Sequence, residues 1–178
     1  MRKIVVYELL SLDGVAEAPD SFFGWDDAVD TKIPELIATQ DAVILGRRSY
    51  NEWAQFWPSS QIEPFATFIN GVEKYVATST PLDQEWANST VVDGGLIEFV
   101  RDLKHQPGGD IGVHASITLA QSLLAQGLVD ELCLAVGRVL DPVGPRWFEG
   151  IADRRVMRLV DATPTRSGSV WLRYQLDV

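Results

Sequence analysis

With 178 residues, 46% of them apolar and 22% charged, the chain suits one domain with a full hydrophobic core, and this composition excludes a disordered or fibrous polymer. The formal net charge of −10 argues against non-specific binding to nucleic acid or anionic membranes, but a local basic patch can still hold a small phosphate ligand. Cys133 is the only cysteine, which excludes an intrachain disulfide, and "ELCLAV" reads it as a small buried hydrophobe.

The opening "MRKIVVYELLSLDG" lacks the apolar core and cleavage site of a signal peptide, and no apolar stretch is long enough to cross a bilayer. A cytoplasmic protein is expected. "KIVVYELLS" is rich in β-branched and aromatic residues and predicts the first strand. "LDGVAEAPDSFFGWDD" comes next as a long loop, of the kind that often carries function. "TKIPELIATQ" predicts a helix, with Pro34 tolerable only in its first turn. "DAVILG" predicts a buried strand, and "RRSYNEWAQFW" a helix directly after it. "PFATFINGV" predicts a short helix that stops at Asn70-Gly71.

"EKYVATST" and "STVVDGG" predict two more strands, and "LIEFVRDLK" has helical spacing at Leu96, Phe99, Val100 and Leu103. "DIGVHA" predicts a strand, "ITLAQSLLAQG" a helix ending at Gly127, and "VDELCLAVGRVL" a strand. After the loop "DPVGPRWFEG", the tail reads as an antiparallel hairpin turning at Ser167-Gly168. Strands alternating with helices predict a three-layer α/β sandwich, with a mostly parallel central sheet and an antiparallel C-terminal hairpin. No repeat or linker divides the chain, so residues 1–178 read as one domain.

In open α/β sheets, ligands bind beyond the carboxyl ends of the strands. Three such corners carry small, polar or basic residues. At "LGRRSY", Gly46 permits a sharp turn and close approach of a ligand. Arg47 and Arg48 then open a helix, where cations oppose the dipole unless an anion lies between them. Both could instead point into solvent. At "VATST", Ser79 and Thr80 could bond a phosphate or serve as turn residues. At "HASIT", backbone N–H groups of a helix start could bind an anion, or Ser116 or Thr118 could be an ordinary N-cap.

Other reactive constellations are missing from the sequence. His105 and His114 are the only histidines and no cysteine cluster joins them, so no protein metal site is expected. Aromatic residues are plentiful at Phe22, Phe23, Trp25, Trp53, Phe56 and Trp57. Most suit a core, and those of the long loop could wall a flat ligand.

Six stretches in order carry a family likeness: "YELLSLDGVAEAP", "ILGRRSYNEW", "KYVATST", "EWANSTVV", "ITLAQSLLAQGLVDEL" and "RWF". Together they resemble the dihydrofolate reductase-like fold. More narrowly, the chain is similar to single-domain bacterial relatives of the reductase domain of the bifunctional riboflavin-biosynthesis deaminase-reductase. The resemblance implies NADPH as hydride source, a small pterin- or pyrimidine-like substrate and a homodimer. It implies that Gly46, Arg47, Arg48 and Ser49 hold phosphates and the adenosine 2′-phosphate. Ser79 and Thr80 would form a second 2′-phosphate loop. Ala115, Ser116, Ile117 and Thr118 would form the diphosphate corner, and Leu9 would meet the nicotinamide carboxamide. Asp13 and Gly14 would cover nicotinamide and substrate, beside the loop residue Trp25.

The proton donor implied by the fold's pattern is Asp30, with Asp26 and Asp27 as rivals; all three could instead be solvated loop or N-cap carboxylates. Glu8 would cost free energy if buried unpaired, and is a further acid if it faces the cleft. The chain departs from the family pattern twice. Ala115-Ser116 stands where Gly-Gly or Gly-Ser is usual, which makes a left-handed or cis geometry costly there. Asp141-Pro142 and Pro145 rebuild a turn that usually reads Gly-x-Gly. These departures leave open a non-catalytic relative with a weakened nucleotide site, and the Arg47-Arg48 pair fits a module for another phosphate ligand equally well.

Overall fold

The structure, a computed structural model, describes residues 1–17, 27–92 and 94–176, and of residues 27–30 the backbone alone. Its strands are β1 (Ile4–Leu10), β2 (Gln40–Gly46), β3 (Glu73–Ala77), β4 (Ser89–Val92), β5 (Asp110–His114), β6 (Glu131–Val136), β7 (Met157–Pro164) and β8 (Val170–Leu176). Its helices are α1 (Asp27–Ile37), α2 (Arg47–Phe56), α3 (Phe65–Gly71), α4 (Leu96–His105) and α5 (Ile117–Ala125). The strands form one sheet in the order β4-β3-β2-β5-β1-β6-β8-β7. All pairings are parallel from β4 across to β6, and β8 and β7 then add on antiparallel. This is the predicted mostly parallel α/β sandwich with its antiparallel hairpin.

The period-2 alternation of β1 explains the three layers. Ile4 and Val6 face one side, where Val100 and Leu103 of α4 and Leu119, Leu123 and Leu124 of α5 cover them. Val5 and Tyr7 face the other, against Leu36 of α1 and Trp171 of β8. Farther along that second side, Val43, Leu45 and Val76 pack under Tyr50, Ala54, Phe65 and Ile69. Burying each such large apolar side chain stabilises the fold by about 1.5–3 kcal/mol.

The route of the chain creates the site. β5 lies between β1 and β2, so the connection leaving β1 crosses β5, and the one leaving β5 crosses β1 to reach β6. The helices on these two connections, α1 and α5, pack on opposite faces, which opens a crevice at the carboxyl ends of the central strands.

Three element boundaries differ from expectation. α1 begins at Asp27 rather than Thr31, so Pro34 lies in the helix interior, where it removes one ladder hydrogen bond. Ile33, Leu36 and Ile37 anchor that helix on the sheet and offset the loss. β3 ends at Ala77, leaving Ser79 and Thr80 in a bend outside the sheet. β6 ends at Val136, and the "GRVL" after it runs alongside the loop after β1 through the Leu12 N–H to Val139 O bond of 2.8 Å. The stop of α5 matches its sequence signal. Gly127 takes φ +66°, and the Leu128 N–H donates to Leu123 O at 3.0 Å, as in a Schellman cap.

Candidate functional site

Two neighbouring corners, β2 to α2 and β5 to α5, face one another across the crevice. A chain of hydrogen bonds fastens them. The Gly46 N–H donates to Ser116 Oγ at 3.0 Å, the Ser116 hydroxyl to Ser49 Oγ at 3.0 Å, and the Ser49 hydroxyl to Ala115 O at 2.7 Å. The two serines are thus spent on holding the corners together. Neither α2 nor α5 has a side-chain N-cap, so backbone N–H groups of two helix starts converge on one place. That place is a groove of about 540 Å³ lined by residues 46–49 and 115–119, together with Gln121, Pro145, Arg146 and Glu149.

Ala115 adopts φ +51°, a left-handed geometry that favours glycine. A Cβ there costs roughly 1–2 kcal/mol, so the corner keeps its shape under strain. Gly46 is the reverse case. Its φ of −76° and ψ of 157° suit any residue. A Cβ at Gly46 would meet the chain only at Ser116, 3.7 Å away. The fold itself therefore does not demand glycine, and the space it leaves belongs to the groove.

The two arginines are neither free in solvent nor left facing an empty anion site. Arg47 turns toward the bend after β3, where it donates to the Thr80 hydroxyl, to Pro81 O at 2.6 Å and to Asp83 at 2.7 Å. Ser79 and Thr80 are exposed and lie outside the groove lining, joined to it through Arg47. Arg48 is 71% exposed and pairs with Glu17 at 2.8 Å and Glu52 at 3.6 Å. Exposed pairs of this kind contribute about 0–1 kcal/mol, so a phosphate can displace them.

A second cavity of about 850 Å³ continues from the groove and shares Arg48, Ala115 and Ile117 with it. Trp53, Trp57 and Phe65 wall one side, with ring centroids 4.8–5.7 Å apart. Tyr7, Glu8 and Leu9 from β1 line it, as does His114 from β5. Glu8 is 4% exposed. Burial pushes its carboxyl up to about 8, and the nearby Trp147 indole opposes that only weakly. The approach of the two falls short of a hydrogen bond, since Glu8 Oε1 and Trp147 Nε1 are both buried without a partner.

His114 is 1% exposed, and burial lowers its pKa to about 3, so the ring is neutral. Its Nε2 meets Gln40 Oε1 at 2.9 Å. Gly112 makes room for that pair, because a Cβ there would lie 2.2 Å from Gln40 Oε1.

The loop after β1 plays a different part from the one expected. Asp13 accepts the Asp141 N–H at 2.9 Å, the Ser11 hydroxyl at 2.8 Å and the Arg146 guanidinium at 2.9 Å. Those bonds, led by the Asp141 N–H, hold its carboxyl down at about 2. Asp13 and Gly14 line neither cavity. They clamp the 141–147 segment, whose Arg146 forms part of the groove wall, and the Gln121 amide donates to Trp147 O at 2.7 Å from the other side. The Asp141-Pro142 turn is closed locally, with Asp141 Oδ1 accepting the Val143 N–H at 3.0 Å.

Asp27 and Asp30 open α1, but their side chains, like Trp25 and Asp26 altogether, fall outside the described residues. Leu9 lines the larger cavity, whereas Gly46, Ser49, Ser116 and Thr118 line the groove. Sequence reasoning does not find Tyr7, Gln40 or Gly112 as neighbours of His114, nor Arg146 and Glu149 as groove residues. A glycine amid the apolar run "DIGVHA" is the one available signal for close packing on that strand.

The family model of the RibD C-terminal domain matches residues 2–170. The uncharacterized Bacillus subtilis protein YyaP is 25% identical over 179 residues, covering 97% of this chain and 94% of that one. Among solved structures, a putative riboflavin biosynthesis protein from Shewanella sp. PV-4 superposes with a TM-score of 0.80 at 16% identity over 99% of both chains. Dihydrofolate reductase from Enterococcus faecalis, complexed with NADP(H), gives 0.67 at 14% identity over 99% of this chain and 97% of that one. The Thermotoga maritima diaminohydroxyphosphoribosylaminopyrimidine deaminase/5-amino-6-(5-phosphoribosylamino)uracil reductase gives 0.68 at 12% identity, over 99% of this chain and 57% of that one. With its family model matched over nearly its whole length and its dihydrofolate reductase-like sheet, the chain belongs to the RibD C-terminal domain family.

Proposed function

We propose that the protein is an NADPH-dependent reductase of a small conjugated heterocycle. The observation that carries this reading is the continuity of the two cavities at Ala115 and Ile117, where a groove with two uncapped helix starts opens into an aromatic-walled chamber. A dinucleotide suits such a pair, anion donors at one end and an aromatic-walled chamber at the other.

The N–H groups at Ile117 and Thr118, with the backbone N–H of Ser49, would hold the diphosphate in the space beside Gly46. The space left by the absent Gly46 Cβ supports this placement. Arg48 would exchange its carboxylates for the 2′-phosphate, with Arg47, Ser79 and Thr80 at the margin. Backbone at Leu9 would meet the carboxamide. NADPH, when bound, supplies hydride to an electron-poor ring carbon. Glu8, held protonated by burial, would place the matching proton on the neighbouring ring nitrogen and regain it from solvent. Asp30 and Asp27 are the alternative donors for that step.

A second reading, a nucleotide-binding member without catalysis, is favoured by one feature. Ser49, Ser116 and Arg47 are already committed to partners within the chain. Single-turnover oxidation of bound NADPH in the presence of heterocycle separates the two readings.

The same proposal includes a homodimer, for which exposed Leu159 and Val160 on the edge strand β7 offer apolar surface. Sedimentation equilibrium checks it. No helix among the described residues is long and apolar enough to cross a membrane. A cytoplasmic setting is part of the proposal.

A further inference from the structure

The wall of the larger cavity carries an unusual balance of charge for a relative of phosphoribosyl-substrate reductases. Glu17, Glu52 and Glu63 line it, and Arg48 is the one cation on it among the described residues. Arg48 is itself held by Glu17 and Glu52. The chain between Glu17 and Lys32 contains no Lys or Arg, so that segment has no cation to bring. Lys32 is bound to Asp161 at 3.0 Å and Glu35 at 3.4 Å. A phosphate group entering here would find Arg48 as the one cation among the described lining residues, already shared between Glu17 and Glu52 and, on the reading above, the partner of the cofactor's 2′-phosphate; otherwise it would meet carboxylates of its own sign.

A second, independent observation concerns the wall nearest the sheet. Tyr7 Oη and His114 Nδ1 are both buried and both lack any hydrogen-bond partner, although their rings stand only 6.0 Å apart, edge to face. Buried polar atoms are normally paired, and the exceptions in a cleft point to a missing ligand. Their chemistry is complementary. The phenol keeps its proton, because burial raises its pKa further above neutrality. With Gln40 Oε1 as the acceptor of that contact, the imidazole proton lies on Nε2 and Nδ1 is left as an acceptor. A donor and an acceptor carried by register partners on β1 and β5 suit a ring N–H next to a carbonyl. Trp53, Trp57 and Phe65 supply flat apolar faces above that edge.

We infer that the larger cavity takes a planar heterocycle that is uncharged or cationic and carries no phosphate, with its N–H/C=O edge paired to Tyr7 and His114. This rests on the reductase reading for its meaning as a substrate class, yet it is a statement about binding that stands without turnover.

The test uses two matched pairs, 5-amino-6-(ribosylamino)uracil and neopterin, each with and without its phosphate ester. Each is titrated calorimetrically into the full chain without cofactor at pH 7.5. At least one unphosphorylated member is expected to bind, and at least tenfold more tightly than its phosphate. The double variant Glu52→Gln/Glu63→Gln should shrink that ratio severalfold. Tyr7→Phe should weaken the unphosphorylated ligand about tenfold while leaving the melting temperature unchanged or higher, because the lost hydroxyl bonds nothing in the fold.

Equal or tighter binding of a phosphorylated member overturns the inference, as does failure of both unphosphorylated ligands to bind. A Tyr7→Phe chain that melts several degrees lower with unchanged affinity overturns the role of Tyr7. If Tyr7→Phe does not fold, His114→Asn gives the same reading of the edge. NADPH is titrated separately. Its failure beside a preserved heterocycle affinity would sink the cofactor proposal alone, and the reverse result would sink this inference alone.

Discussion

The groove is made of short pieces of sequence. Residues 46–49 and 115–119 are two strand-to-helix corners, brought together because β2 and β5 pair at Ile44 and Val113. The larger cavity draws on β1, α1, α2, the turn after it, α3 and β5, with one to four residues from each. Backbone does the work in the first region, and side chains do it in the second. A backbone site is fixed once the fold is fixed, so it persists through sequence drift. A side-chain chamber can change its ligand by a few substitutions on the same frame.

Changes in the chamber should therefore alter chemistry, and changes in the groove should alter affinity. The largest effect is expected at Glu8. Glu8→Gln should lower reductive turnover by about a hundredfold or more, with NADPH affinity held within about twofold. In the unsubstituted protein, turnover should fall as pH rises through about 8, where the donor ionises. A pH–rate profile that keeps this limb in Glu8→Gln would assign the proton to another group, with Asp30 next to test.

Gly46→Ala should give the opposite separation. NADPH affinity should drop about tenfold, while stability holds or rises by roughly 0.4–1 kcal/mol because the backbone there is ordinary. Thermal melts with and without NADPH measure both. A large loss of stability would place the need for glycine in the fold instead of the ligand.

The buried titratable groups give a third contrast. The Glu8 pKa is raised from 4.5 to about 8, so its contribution to stability is full below pH 4.5 and is lost as pH rises toward 8. That of His114 is lowered from 6.5 to about 3, so its contribution is full above pH 6.5 and is lost as pH falls toward 3. Glu8→Gln should flatten the decline between pH 4.5 and 8 and leave the acid side untouched. Denaturant melts across that range check the sign.

The smallest effect is expected at Ala115→Gly. It relieves a left-handed alanine, but it frees the unfolded chain by about 0.4–1 kcal/mol. The melting temperature should move by only a few degrees. Removing the Cβ from the groove should tighten NADPH about two- to fivefold.

Most of the fold is legible in the sequence because apolar periodicity and Gly stops mark elements locally. α1 reads four residues short because "DAVD" has no apolar stripe, and its first turn depends on the anchored residues Ile33, Leu36 and Ile37 farther along the helix. The corner residues are legible as anion candidates, but the fate of Arg47 and Arg48 is not, since Asp83 and Glu17 reach them from distant loops. Asp13 is implied by the family resemblance to cover the substrate. Its actual partners, Asp141 and Arg146, lie more than 120 residues away. The Tyr7–His114 edge is hidden for the same reason, because Gln40 and Gly112 orient it across three strands.

The most direct test of the central claim is a fluorescence titration of the full chain with NADPH and with NADH, repeated in Arg48→Ala. The account predicts saturable NADPH binding at least tenfold tighter than NADH, with that preference lost in Arg48→Ala. No binding of either nucleotide, or a preference for NADPH that survives Arg48→Ala unchanged, would contradict it.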